Sequence, residues 1–111
     1  MTINEYQAAA LRTAKNRKDF FARLQEGALG LCGEAGEVAE LIKKGIYQGH
    51  VLNRHRIREE LGDAMWYISL IAAAAGIELD EVAKANIEEL RNRYPDGFDS
   101  ERSIHREGTG E

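Results

Sequence analysis

The chain has one cysteine, Cys32, and one proline, Pro95, among its 111 residues. A single thiol can neither close a disulfide within the chain nor build a cysteine zinc cage. That cysteine usage fits a reducing compartment, and a cytoplasmic location is the expectation. One proline near the end leaves the preceding sequence open to long helices, which its abundant alanine, glutamate, leucine and arginine favour. No apolar run approaches the length of about 20 residues needed to span a bilayer. Met1-Thr2-Ile3-Asn4-Glu5 carries no apolar leader, so no membrane partner is expected. Positive charge is also in deficit: 15 Lys and Arg against 19 Asp and Glu leave a net charge of −4. This balance argues against a general nucleic-acid binder. A small polyanion stays possible, because bound divalent ions reverse the local field.

What the chain does have is carboxylates in two tight pairs. Glu34 and Glu37 lie in Gly-Glu-Ala-Gly-Glu, and Glu60 and Asp63 in Glu-Glu-Leu-Gly-Asp. On a helix, residues three apart are separated by about 60° in azimuth and about 4.5 Å along the axis. Two helices that each carry such a pair can bring four anionic donors around one point. Without a counter-charge that arrangement is unfavourable. A hard divalent cation resolves it, and Mg²⁺ or Mn²⁺ prefers oxygen ligands. The plainer reading is two solvated acidic helix faces. The apolar residues beside both pairs, Val38 and Leu61, favour the cation.

The periodicity predicts four helices and no strand. Thr2 with Glu5 forms a capping box for the first, which is expected to run to about Asn16. Asp19 caps a long second helix with the stripe Phe20, Leu24, Ala28, Leu31, Ala35, Val38, Ile42 and Ile46, ending near Gly45 to Gly49. Gly27, Gly30, Gly33 and Gly36 within it suggest a break, a bend or the close approach of another backbone. Asn53 caps a third helix whose apolar face is Ile57, Leu61, Ala64, Ile68, Ile71 and Ala75, with Gly76 ending it. Asp80 is expected to cap a fourth, bearing Val82, Ala83, Asn86, Ile87 and Leu90, stopped by Tyr94-Pro95-Asp96-Gly97. Residues 1–97 then form one domain, and 98–111 a polar tail whose last four residues, from Gly108, are expected to be disordered.

Helical spacing also nominates neighbours for the carboxylates. Lys44 is seven residues beyond Glu37, and Tyr67 four beyond Asp63. Lys44 either meets a ligand or pairs with Glu40; Tyr67 either meets a ligand or is a boundary aromatic. Asn86 stands on the expected apolar face of its helix, where a buried amide needs a structural network or a ligand. Trp66, the one tryptophan, stacks on a flat ring or packs in a core. Arg54-His55-Arg56-Ile57-Arg58 places cations at a helix N-terminus, against the macrodipole; neutralising Glu59, Glu60 or a neighbouring subunit's acids is the favoured reading.

Taken together, the two acidic motifs, the run Glu-Leu-Gly-Asp-Ala-Met-Trp-Tyr-Ile, and Asn86 ahead of Leu90 and Arg93 resemble the MazG-like all-α nucleoside triphosphate pyrophosphohydrolases over roughly residues 5 to 95. The resemblance implies an all-α, four-helix bundle-like fold that assembles as a homodimer or homotetramer. It implies a Mg²⁺-dependent enzyme, with Mn²⁺ as substitute, that cleaves nucleoside triphosphates to monophosphate and pyrophosphate. Glu34, Glu37, Glu60 and Asp63 then hold metal, with Glu34 or Glu37 as general base. Asn86 matches a polar position near the substrate, and Lys44, Trp66 and Tyr67 are the further candidates for contact with it. Glu89 stands where relatives often have lysine, and the tail from Phe98 differs from the Gly-rich ending of many of them, so base preference does not carry over.

Oligomerisation is also expected on physical grounds. A domain this small buries little apolar area. Met65, Trp66 and the run Ile68 to Ile71 make the third helix apolar over more than one face. Two other readings stay open: a non-catalytic helical interaction module, and a phosphoribosyl-ATP pyrophosphohydrolase of the same superfamily. A di-iron carboxylate bundle is disfavoured, because no histidine stands three residues after a glutamate.

Overall fold

The structure, a computed structural model, describes residues 1–14 and 19–97. Four helices stand among the described residues: α1 (Ile3–Leu11), α2 (Phe20–Tyr47), α3 (Arg54–Ala74) and α4 (Leu79–Arg93). Their starts follow the side chains that satisfy orphan amides. The Thr2 hydroxyl accepts from the Glu5 amide at 3.1 Å while Glu5 accepts from the Thr2 amide at 2.7 Å, a reciprocal box. Asp19 accepts from Phe21 N at 2.9 Å and Asn53 from Arg56 N at 3.2 Å. α3 ends in a Schellman motif. Ile77 N reaches Ala72 O at 2.8 Å and Gly76 N reaches Ala73 O at 3.0 Å, with Gly76 at φ 73°.

Two boundaries differ from expectation. α1 ends at Leu11, and Asn16 lies outside the described residues, as does the tail from Phe98. α4 begins at Leu79, one residue before the expected Asp80 cap. The buried Gln7 side chain holds the earlier start: its oxygen accepts from Leu79 N at 2.9 Å and so satisfies the first orphan amide of the helix. The Gln7 amide also donates to Ser69 O at 3.4 Å and Ile77 O at 3.2 Å. One side chain thereby ties α1 to α3 and to the turn that follows.

The chain divides into two compact units, Met1–Leu79 and Asp80–Glu111. In the first, α2 and α3 form an antiparallel hairpin and α1 packs on α3. The hairpin register is constant: Gly27 meets Ile71, Gly30 meets the Tyr67 ring, and Gly45 meets Leu52. α2 continues through all its glycines, and 27, 30 and 45 serve close approach. Trp66 fastens α1, its indole N–H donating to Ala10 O at 3.0 Å and Thr13 Oγ1 at 2.8 Å.

The expected apolar stripes need correction. On α2 the residues turned from solvent include Gly27, Leu24, Leu31, Val38 and Leu41, while Phe20, Ala28, Ala35, Ile42 and Ile46 are exposed. On α3, Ser69, Leu70 and Ala72 are the buried residues, and Leu61, Ile68 and Ala75 are exposed. α3 is apolar nearly all round its C-terminal half, so spacing alone cannot say which side meets α2, which meets α1 and which faces outward. In the second unit, Val82, Ile87 and Leu90 are exposed. Asn86 is exposed with them, so its amide is not the buried group the pattern suggested. Lys84 pairs with Asp80 at 2.9 Å, Arg93 pairs with Glu89, and the helix stops at a turn in which Gly97 N donates to Tyr94 O at 3.1 Å.

The glycines give a direct test of this packing. A Cβ at Gly30 would overlap the Tyr67 ring, whereas one at Gly33 meets nothing within 4 Å. Gly30→Ala is expected to lower stability by about 1–3 kcal/mol through overpacking. Gly33→Ala should raise it by up to about 1 kcal/mol through helix propensity. Urea unfolding of the two variants checks the contrast, and equal effects would contradict the register.

Candidate metal centre

The register that seats Tyr67 on Gly30 brings Glu34, one turn further along α2, against the first turns of α3. There it meets Glu60 and Asp63: one carboxylate oxygen from each of Glu34, Glu60 and Asp63 lies within 4.8 Å of the others. Glu34 and Glu60 are half-buried and Asp63 is exposed. Three like charges at this spacing repel, and the effect appears at Glu34. A hydrogen bond to Glu60, partial burial and the charges of Asp63, Glu60 and Glu37 raise its carboxyl from the usual 4.5 to about 7. Glu34 Oε2 is also shut off from solvent and has no hydrogen-bond partner. A sealed carboxyl oxygen with no hydrogen-bond partner, beside two further carboxylates, is a donor set that suits a hard divalent cation.

Glu37 sits apart from this group. It is exposed and contributes no oxygen to the trio, yet its charge is felt at Glu34. The two pairs therefore divide as three converging carboxylates and one flanking carboxylate. Lys44 lies 3.9 Å from Glu40, which also lies 3.9 Å from Lys43. Tyr67 is half-buried, with its ring on Gly30 and edge-on to Trp66 at 5.1 Å. The Trp66 N–H is committed to α1. Asn86 belongs to the second unit. In the basic segment, Arg58 Nη2 lies 2.8 Å from His55 Nδ1, and His55 Nε2 lies 3.2 Å from Glu59 Oε1.

Tyr6 is a residue that the helix spacing did not nominate. Burial, and then the charge of Asp63, raise its phenol above the ordinary value, which places α1 beside the carboxylates. The signal was faint: an aromatic next to Gln7, the polar residue that locks α1 in place.

The central part of the chain matches a family model. That model, the MazG nucleotide pyrophosphohydrolase domain, covers residues 24–98. The chain belongs to the MazG family. The MazG match takes in α2 from Leu24 onward, α3 and α4, with both acidic pairs, and leaves α1 outside. The chain is also 33% identical over 105 residues to the Gene 37 protein of Mycobacterium phage L5, covering 87% of this chain and 92% of that one. No solved structure matches it. No helix among the described residues is long and apolar enough to cross a membrane.

The raised Glu34 carboxyl sets a pH dependence. Its protonated form is favoured in the folded state, so its contribution to metal-free stability is full below about 4.5 and is lost as pH rises through about 7. A divalent ion competes with that proton. Affinity for Mn²⁺ should therefore rise as pH approaches about 7 and level off above it. Titration calorimetry in buffers of different ionisation enthalpy should detect proton release at about pH 6 and little at about pH 8. Affinity independent of pH across this range would contradict the cluster.

Proposed function

We propose that this MazG-family chain is a Mg²⁺-dependent nucleoside triphosphate pyrophosphohydrolase, converting a (deoxy)nucleoside triphosphate and water to the monophosphate and pyrophosphate. The observation that carries the reading is the convergence of Glu34, Glu60 and Asp63, with an oxygen of Glu34 left unpartnered, in a chain of this family. Mg²⁺ bound there supplies charge neutralisation for the phosphate oxygens and for the pyrophosphate leaving group.

The chain's own residues supply the rest. Its sequence offers one cysteine, and the metal centre holds no serine–histidine pair, so water is the nucleophile. Glu37 stands outside the trio and is exposed, which leaves its carboxylate to orient that water and take its proton as the phosphoanhydride bond breaks. Lys44 balances charge on the phosphates. Tyr67 offers its hydroxyl and Trp66 the surface of its ring to the nucleotide. The active species is a homo-oligomer: Leu61, Met65 and Ile68 on α3 and Val82, Ile87 and Leu90 on α4 are all exposed in the single chain, and a second copy covers such faces.

Two measurements test this reading. With Mg²⁺ and a panel of nucleoside triphosphates, the first products should be monophosphate and pyrophosphate; orthophosphate and diphosphate would contradict it. Glu37→Gln should lower kcat by about 100-fold or more with Mn²⁺ affinity retained, whereas Asp63→Asn should lose Mn²⁺ affinity along with activity. Near-normal turnover by both variants would overturn the assignment. Static light scattering should give a mass at least twice the 12.4 kDa of the chain; an active monomer would refute the oligomer.

A further inference from the structure

The basic segment that opens α3 is not used by the reading above, and one of its members shares the carboxylate face. Arg56 stands four residues before Glu60 and seven before Asp63. At about 100° per residue, Asp63 lies about 60° round the helix from Glu60, and Arg56 lies between them at about 40°. Arg56 is set back from Glu60 by about 6 Å along the axis.

The other cations nearby differ from it in place or in partner: Arg54 lies about 120° round the helix from Glu60, off the carboxylate face. Arg58 is bonded to His55, and His55 reaches Glu59. Lys44 shares Glu40 with Lys43. Glu60, the partner Arg56 would take at i, i+4, meets Glu34 instead. The exposed Arg56 guanidinium makes no ion pair among the described residues. Nor does its position help the helix, since a cation in the first turn opposes the macrodipole. The hairpin register places Arg56 across from Leu41, one turn short of Lys44 on α2.

We infer that Arg56 binds the γ-phosphate of the substrate, so that the triphosphate lies along α3 with its γ end toward the α2–α3 turn. This rests on the pyrophosphohydrolase reading and adds a direction to it. With a divalent ion held by Glu60 and Asp63, a phosphate chain anchored through that ion would reach Arg56, which stands about one helical turn away. A guanidinium there pairs with two phosphate oxygens at once. The nucleoside end then points toward the half of α3 that carries Trp66 and Tyr67.

The experiment compares wild type with Arg56→Gln, Arg56→Lys and Arg54→Gln. It measures KM for a nucleoside triphosphate, the inhibition constant of the matching diphosphate, and Mn²⁺ affinity. Arg56→Gln should raise KM about tenfold or more while leaving Mn²⁺ affinity and diphosphate inhibition at wild-type values, because the diphosphate lacks the group that Arg56 holds. Arg56→Lys should recover part of the loss, and Arg54→Gln should behave as wild type. An unchanged KM in Arg56→Gln, or equal losses for diphosphate and triphosphate, overturns the inference while an active wild type leaves the enzyme reading standing. A wild type that turns over no nucleoside triphosphate removes both.

Discussion

The contact between Glu34 on α2 and the Glu60–Asp63 pair on α3 is the interaction around which the rest of the first unit is arranged. Carboxylates within 4.8 Å of one another push their helices apart, so the hairpin needs attraction elsewhere. It is found on both sides of the cluster. Toward the helix ends, Gly27 and Gly30 let Ile71 and Tyr67 come directly onto the α2 backbone; toward the turn, Gly45 does the same for Leu52. These contacts clamp the two helices at fixed register and hold the acids together between them. The strain is recorded in the raised Glu34 carboxyl. On the proposed reading, a cluster that is electrostatically unfavourable by itself and held by packing would need little rearrangement to take a cation.

α1 secures the other side of α3. Gln7 links two carbonyls and one amide across three segments, and Trp66 hydrogen-bonds to the end of α1. The effect is to bring Tyr6 beside Asp63. Although the MazG match begins at residue 24, the segment before it is thus part of the setting of the carboxylate cluster, through hydrogen bonds that leave no periodic mark in the sequence.

Much was legible because it depends on short-range rules. Thr2, Asp19, Asn53 and Gly76 cap or end helices through bonds to neighbours within five residues, and a side chain of the right type in the right place suffices. The spacing of the acidic pairs is equally local. What was not legible depended on choices between faces. α3 from Met65 to Ile71 is apolar on every side save Ser69, so a 3.6-residue period selects no direction, and Leu61 and Ile68 proved exposed. The separation of Glu37 from Glu34 depends on where α3 crosses α2. Asn86 was read as buried because its helix is amphipathic, but amphipathicity states that a face wants cover and not what covers it.

The account stands or falls on whether the three converging carboxylates hold a divalent ion. Crystals grown with Mn²⁺ and measured at the manganese absorption edge decide this directly. The prediction is an anomalous peak bounded by oxygens of Glu34, Glu60 and Asp63, with Glu34 Oε2 among its ligands. Crystals of the Mn²⁺-saturated protein with no peak there, or with the ion held by other residues, would contradict it.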